Sequence, residues 1–147
     1  MMPYRIHEAD LEVPENWLDQ TINIFRLPAV ASAKEASFVI SRDSIDNAGA
    51  FADYVAGQLA SAEQQLPGFS LLQKWDFELN GRPAALVDYT WEREGHSLML
   101  RQVFVEHGAA VLITTLTTTV DDLPHHEMAW RKVMHSFTLR PASPDNA

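Results

Sequence analysis

Three turn signals in the second half of the chain constrain its fold more than any other feature. Asn80-Gly81, Glu94-Gly95 and His107-Gly108 each place a glycine, which tolerates positive φ, between runs rich in β-branched and aromatic residues. Because this pattern is typical of β-hairpins, it predicts a four-stranded antiparallel meander. The strands are expected at 70–79, 84–92, 97–106 and 110–118.

Shorter apolar runs before the meander predict further strands. Residues 20–27 (QTINIFRL) and 36–42 (ASFVISR) alternate or run apolar, and a break at 28–33 separates them. Residues 6–13 are expected to add an edge strand that ends at Pro14, because proline cannot donate a hydrogen bond to a sheet.

Two amphipathic helices are predicted on either side of the meander. In the first, apolar residues recur at helical spacing from Phe51 to Leu66, and Pro67-Gly68 ends the helix. The second begins within 121–124, where carboxylates suit the positive end of a helix. Its expected buried residues are Trp130, Val133, Met134 and Phe137.

These elements fit one domain of the α+β class. Two helices are expected to pack on a curved antiparallel β-sheet of about six to seven strands. A chain of 147 residues is long enough to build one such core. We therefore predict a single domain over residues 1–140, followed by a disordered tail at 141–147.

Composition excludes several classes of function. The chain has no cysteine, so disulfides, thiolate metal sites and a cysteine nucleophile are ruled out. Its net charge of −9 opposes binding to nucleic acid or to anionic lipid. The N-terminus lacks the apolar core of a secretory signal, and no apolar run approaches the ~20 residues of a membrane-spanning helix. We expect a cytoplasmic protein without nucleic-acid binding or direct membrane insertion.

No motif predicts catalysis, a metal or a cofactor. The run His125-His126-Glu127 lacks the spacing of a helix-borne zinc pair, so these residues are expected to be solvated in the first helical turn. Neither a Gly-x-Ser-x-Gly elbow nor a glycine-rich phosphate loop occurs. An enzyme would require a pocket with convergent ionisable groups, and the strand and turn cluster to inspect for one is Asp76, Asp88, Glu92 and His96.

The strands carry apolar residues on both faces. In 20–27, Ile22 and Ile24 point to one side, whereas Phe25 and Leu27 point to the other. If two helices cover one face, the other face needs a partner or a second copy of the chain. The alternative, in which loops and the N-terminal segment close that face, stays open.

Six motifs distributed along the chain form a recognisable set: EADL at 8–11, DQTINIF at 19–25, ASFVISRD at 36–43, LPGF at 66–69, LRQVF at 100–104 and LITTLTT at 112–118. Through them nearly the whole chain, from Tyr4 to about Trp130, resembles the effector-associated (Eag) chaperones of bacterial type VI secretion, a DcrB-related family. The resemblance implies a Mog1/PsbP-like fold and a non-enzymatic homodimer. It also implies that the dimer binds and shields the N-terminal transmembrane segments of an effector that carries a PAAR domain, before the effector is loaded for export.

The same resemblance implies a client-binding groove on one face of the sheet. Matching motifs place groove residues at Ile22, Ile24, Val39, Leu66 and Gln102, and Gln58 on the first helix completes the set. The apolar members could equally be core residues, and Gln58 could be an exposed helix residue. Gln102 is harder to explain as core, because it lies between Leu100 and Phe104 on one strand face.

A second reading of the same fold keeps the protein non-enzymatic. It is a Mog1/PsbP-like module that binds a folded soluble protein through its loops, rather than a chaperone for apolar helices.

Overall fold

The structure, a computed structural model, describes residues 1–28, 36–45 and 50–141. The described elements in chain order are β1 (Met2–Arg5), β2 (Asp10–Val13), β3 (Asn23–Leu27), β4 (Ala36–Ser44), α1 (Phe51–Gln65), β5 (Ser70–Leu79), β6 (Arg82–Arg93), β7 (His96–His107), β8 (Ala110–Thr119) and α2 (Leu123–His135). The predicted tail, apart from Pro141, lies outside the described residues, and so does most of the break predicted at 28–33.

The main sheet confirms the predicted meander. Its six strands are antiparallel and follow the order β3-β4-β8-β7-β6-β5. The turn glycines Gly81, Gly95 and Gly108 have φ values of 77°, 80° and 63°, which is the conformation that the turn signals require. Together with the two helices, this sheet confirms the α+β class.

The single edge strand predicted at 6–13 is wrong. Instead, β1 and β2 pair with each other in a separate two-stranded sheet, from Met2 opposite Val13 to Arg5 opposite Asp10. The Arg5 Nε donates to Asp10 Oδ1 at 2.8 Å, and the Ile6 N–H donates to the Ala9 carbonyl at 3.0 Å. These local bonds close a hairpin across the residues that the sequence pattern assigned to one strand.

Strand β3 is shorter than predicted: residues 20–22, which were expected to belong to it, lie before its first residue. The backbone N–H of Thr21 donates to Asp19 Oδ1 at 3.0 Å, and the Thr21 hydroxyl bonds to the same carboxylate. A side chain that binds nearby backbone in this way competes with sheet pairing. The strand therefore begins at Asn23.

Two cores lie on opposite faces of the main sheet, since alternate residues of each strand point to opposite sides. We call the face that α1 covers the α1 face, and the opposite one the α2 face. Buried residues around α1 are Phe51, Val55, Ala85, Val87, Tyr89, Phe104, Val111 and Ile113. Buried residues of the other core are Ala84, Leu86, Val103 and Val105, against which Trp130 and Met134 of α2 pack.

The inward side of α2 differs from the prediction. His126 is 3% exposed, so the expectation that it is solvated is wrong, whereas Val133 is 43% exposed rather than buried. His126, Trp130 and Met134 are spaced four residues apart, which places them along one side of the helix. Trp130 and Met134 are half-buried, as is Phe137 beyond the helix.

Candidate functional site

The two faces of the main sheet differ in how far they are covered. On β8, Leu116 and Thr118 point to the α2 face and are 1% and 5% exposed. Thr115 and Thr117 point to the α1 face and remain partly exposed, although Val111 on the same face is buried beneath α1. Among the described residues, helix α1 therefore covers only part of its face, and the end of β8, the middle of β4 and strand β3 stay at least partly exposed there. We call this part of the α1 face the open area.

A line of side chains crosses this open area from strand to strand. Ile24 lies opposite Val39, Val39 opposite Thr115, and Thr115 opposite Gln102. We call these four residues the cross-strand row. Three of the six residues predicted for the groove thus lie side by side on one face of the sheet.

The apolar end of the cross-strand row is at the sheet edge. Ile24 is 70% exposed, and Ile22, which precedes β3, is 56% exposed. These exposures exclude the alternative in which Ile22 and Ile24 are core residues. The edge therefore presents branched apolar side chains to whatever lies over the open area.

The polar end of the row has an internal hydrogen bond. Gln102 Nε2 donates to Thr115 Oγ1 at 3.2 Å, which supplies the partner that a half-buried amide requires. An amide has two N–H donors and a carbonyl acceptor, so this bond leaves further hydrogen-bonding capacity on Gln102. The row consequently changes from apolar at β3 to polar at β7.

Helix α1 lies beside the polar end of the row. Gln102 pairs with Val87 on β6, and Val87 is fully buried in the core that α1 covers. On α1 itself Gln58 is exposed, whereas Leu66 at the C-terminal end is half-buried and packs against that core. Of the two predicted groove residues from this segment, only Leu66 has a part in the core.

A pocket of about 440 Å³ lies at one end of the open area, and we call it the end pocket. It is lined by Ile24, Arg26, Ala36, Ser37, Arg93, Glu94, His96, Leu98, Thr117, Thr118 and Thr119. Ile24 belongs both to this pocket and to the cross-strand row, so the two are continuous. The end pocket has no signal in the sequence, because its charged residues Arg26 and Arg93 come from strands that are far apart in the chain.

The α2 face carries a network of ion pairs and hydrogen bonds centred on the buried Arg101. Arg101, 7% exposed, donates from Nε to Asp88 Oδ1 at 2.9 Å and from Nη2 to Asp88 Oδ2 at 3.0 Å. Its Nη1 donates to Glu127 of α2 at 2.5 Å, and Gln73 donates to Asp88 at 2.6 Å. The network therefore joins β5, β6, β7 and α2.

The charge of Arg101 is held by these carboxylates. Burial by itself lowers the pKa of Arg101, but the hydrogen bonds and charges of Asp88 and Glu127 raise that pKa above its ordinary value. The guanidinium carbon also lies 4.6 Å from the centroid of the Trp130 ring, a cation–π contact. Arg101 thus fastens α2 to the sheet and has its hydrogen bonds directed away from solvent.

The ionisable side chains considered for an enzyme do not converge. Asp88 lies on the α2 face and is held by Arg101. Asp76 pairs with Ala85, whose side chain is on the α1 face, and His96 lies at the other end of that face, opposite Arg93. Glu92 accepts a hydrogen bond from Ser97 at 2.6 Å. The four side chains therefore form no shared site.

Alternation along the strands could have identified the residues that the sequence analysis missed. Once β8 pairs with β7, Thr115 and Thr117 must face the same side as Gln102. Their hydroxyls extend the polar part of the open area.

No group of three His, Asp or Glu suited to a metal ion occurs within 1–28, 36–45 and 50–141.

In the described part of the chain, no helix combines the length and the apolar character that crossing a bilayer requires. The longer of the two helices, α1, has 15 residues.

Comparisons with known proteins identify a family and similar proteins that cover nearly the whole chain. The sequence matches the DcrB family over residues 8–136. It is 61% identical over 141 residues to the protein named Effector EagT6 from Pseudomonas aeruginosa, covering 96% of this chain and 98% of the relative. A crystal structure of the protein PA94 from the same organism superposes with a TM-score of 0.87 at 60% identity, covering 97% of this chain and 99% of that one.

More distant structures share the fold alone. LpqN from Mycobacterium tuberculosis superposes with a TM-score of 0.55 at 19% identity, covering 95% of this chain and 90% of LpqN. The cyanobacterial PsbP from Synechocystis superposes with a TM-score of 0.53 at 10% identity, covering 95% of this chain and 92% of that one. These superpositions confirm the PsbP-like fold.

Proposed function

Because this chain belongs to the DcrB family and has EagT6 as a close relative, we propose that it is an effector-associated chaperone of type VI secretion. Its client in this proposal is a PAAR-containing effector, whose N-terminal transmembrane helices it shields before export. The observation that carries the proposal is the partly uncovered α1 face, with Ile24, Val39, Thr115 and Gln102 in one row.

The chemistry of the row suits an apolar helix that also has polar groups. Ile22, Ile24 and Val39 can replace lipid around apolar side chains, since burying a branched aliphatic side chain stabilises a contact by about 1.5–3 kcal/mol. Gln102, Thr115 and the exposed Gln58 can hydrogen-bond polar side chains that would otherwise be buried without partners. Leu66 would contribute from the C-terminal end of α1.

We propose a homodimer as the active form. Large apolar side chains also lie exposed outside the row, with Trp17 62% and Leu18 84% exposed in the segment after β2. Adjacent exposed apolar side chains that form a contiguous patch commonly mark a surface that another protein covers. A second copy of the chain could both cover them and supply another open face to a client with several helices.

In this proposal the protein is cytoplasmic and binds its client with a single domain over residues 1–140. It has neither a catalytic site nor a cofactor. The separation of Asp76, Asp88, Glu92 and His96 supports this reading over an enzyme.

Co-expression tests the proposal. The N-terminal segment of a PAAR effector with predicted transmembrane helices is produced with and without the protein. We expect the segment to be soluble and to co-purify only when the protein is present. Val133→Asp, on the outer side of α2, is the matched control and should retain the client. An effector segment that stays insoluble, or that does not co-purify, would contradict the proposed function.

A further inference from the structure

We propose that two copies of the chain form the homodimer through the edge strand β5, by antiparallel pairing centred on Trp75. This inference rests on the homodimer of the proposed function and names its interface. The partner at this edge is a second copy of the chain, which would continue the main sheet.

The position and length of β5 carry the first step. Strand β5 is the last in the order of the main sheet and, within the described residues, pairs with β6 alone. It has ten residues, whereas β3 at the opposite edge has five. An edge strand leaves its outer N–H and C=O groups without strand partners, so a long one is a template for another strand.

The exposed apolar side chains of β5 carry the second step. Leu71, Leu72 and Trp75 are 47%, 56% and 56% exposed. The Trp75 ring lies 6.3 Å from that of Phe77, which shares its face of the sheet. A bulge lies between Leu71 and Gln73, so the regular part of the edge begins at Gln73. In a monomer this apolar edge stays in water, whereas a second copy removes it from water.

Charge selects the register of the pairing. Two-fold symmetry requires that opposed residues share a face, so an antiparallel pair of identical strands is centred on one residue. With Trp75 at the centre, Lys74 of each copy lies opposite Asp76 of the other, and the two Trp75 rings meet. Centring the pair on Lys74 or on Asp76 instead places like charges directly opposite, which destabilises a strand pair.

Lys74 and Asp76 also meet within one chain, where Nζ lies 3.9 Å from Oδ1. Residues two apart on a strand are separated by about 7 Å, whereas the Cβ atoms of directly opposed residues are about 4.5–5.5 Å apart. The Asp76 side chain is 80% exposed and is therefore accessible to a second lysine. Pairing thus brings each Lys74 next to a second carboxylate and does not require that the contact within the chain be broken.

The symmetry of this pairing decides where the open areas lie. A two-fold axis perpendicular to the sheet keeps the α1 faces of both copies on the same side. Two six-stranded sheets then form one continuous sheet, with β3 at its two outer edges. Each copy therefore presents its open area on the same side as the other, where a client with more than one apolar helix can contact both.

The first test exchanges the two charges in the full chain, and sedimentation velocity measures the dissociation constant of the dimer. Lys74→Asp and Asp76→Lys should each weaken the dimer at least about tenfold, because like charges are then opposed twice in every dimer. Mixing the two variants should restore association as a heterodimer, since the introduced aspartate faces the introduced lysine. Both variants also lose the contact within the chain, so recovery on mixing isolates the contact between copies.

Glu63→Lys, at an exposed position of α1, is the matched control for the change in net charge and should leave the dissociation constant unchanged. Circular dichroism shows whether each variant is folded. A chain that carries both Lys74→Asp and Asp76→Lys should dimerise like the wild type, because each opposed pair is then again of opposite sign.

The second test uses disulfide cross-linking, since the chain has no cysteine of its own. Trp75→Cys places the two thiols opposite each other across the axis, so mild oxidation should give a covalent dimer. Leu71→Cys is the control for register, because its thiols would be more than ~20 Å apart. Leu18→Cys tests the exposed segment after β2, which is the competing surface for a second copy. We expect Trp75→Cys to cross-link at least about tenfold faster than either control.

Two outcomes overturn the inference and leave the homodimer intact. One is that a dimeric wild type keeps its dissociation constant in both charge variants, or that mixing the weakened variants restores no association. The other is that Leu18→Cys or Leu71→Cys cross-links as fast as Trp75→Cys. A one-chain mass for the wild type at every concentration removes the homodimer and its interface together, whereas client binding is tested separately by co-expression.

Discussion

Replacing Ile24 by aspartate separates a binding surface from a structural one. Because Ile24 is 70% exposed, the fold hides only about a third of its side chain. Losing that contact should cost about 0.5–1 kcal/mol, and the poor fit of aspartate to a strand adds up to ~1 kcal/mol. We expect Ile24→Asp to lower the free energy of unfolding by about 1–2 kcal/mol and to leave the protein folded.

The matched variant is Val87→Asp on the same face. Val87 is 0% exposed beneath α1, so an unpaired carboxylate there should cost more than about 4 kcal/mol. Urea denaturation followed by circular dichroism measures both costs. If Ile24→Asp destabilises the protein as much as Val87→Asp, the site at Ile24 is structural.

Ile24→Asp should reduce client affinity more than it reduces the stability of the fold. A client that covers the exposed part of Ile24 loses about 1–2 kcal/mol of apolar contact and must also desolvate the carboxylate. A total loss of about 2–4 kcal/mol corresponds to an affinity at least about 30-fold weaker. The assay is the dissociation constant of a carrier-linked apolar segment, with Val133→Asp as the control for added charge. Wild-type affinity in a folded Ile24→Asp variant would refute the assignment of Ile24 to the client-binding groove.

Further predictions concern other parts of the molecule. Gln102→Leu should weaken client binding by about 1–3 kcal/mol, because a polar group of the client is left without a partner; unchanged affinity would remove Gln102 from the site. Arg101→Met should lower the free energy of unfolding by about 3–5 kcal/mol, since it leaves Asp88 buried and unpaired, and urea denaturation would show it. Burial and the hydrogen bond to Asp43 raise the pKa of Tyr54, so its contribution to stability is complete below the unfolded pKa of about 10 and falls as pH rises above it. Thermal unfolding between pH 8 and 11 should therefore show a steeper decline than in Tyr54→Phe, and parallel curves would contradict this. Light scattering at micromolar concentration should give the mass of a dimer, and a one-chain mass at every concentration would exclude it.

The parts of the fold that could be predicted are those with a local cause. The turns at Gly81, Gly95 and Gly108 need a conformation that glycine adopts easily, so they fixed the meander and the bounds of β5. The hairpin of β1 and β2 was missed, because the contact between Arg5 and Asp10 that closes it has no clear periodic signal.

The candidate site could be predicted in part for a similar reason. Motif resemblance supplied Ile24, Val39 and Gln102, and strand pairing alone brings them into one row. The end pocket and the ion network depend on residues far apart in sequence, such as Asp88 and Glu127, whose meeting at Arg101 is a tertiary event. The burial of His126 likewise depends on how α2 is rotated against the sheet.

The fastening of α2 by Arg101 has a consequence for the working cycle of the protein. The residues that Arg101 joins on the α2 face are separate from the proposed client-binding residues on the α1 face. If the proposed function holds, a client can bind and leave without breaking the contacts that Arg101 makes. Under the proposed function, substitutions in the open area would change client affinity while leaving the stability contributed by the Arg101 network unchanged, since distant sites act nearly independently.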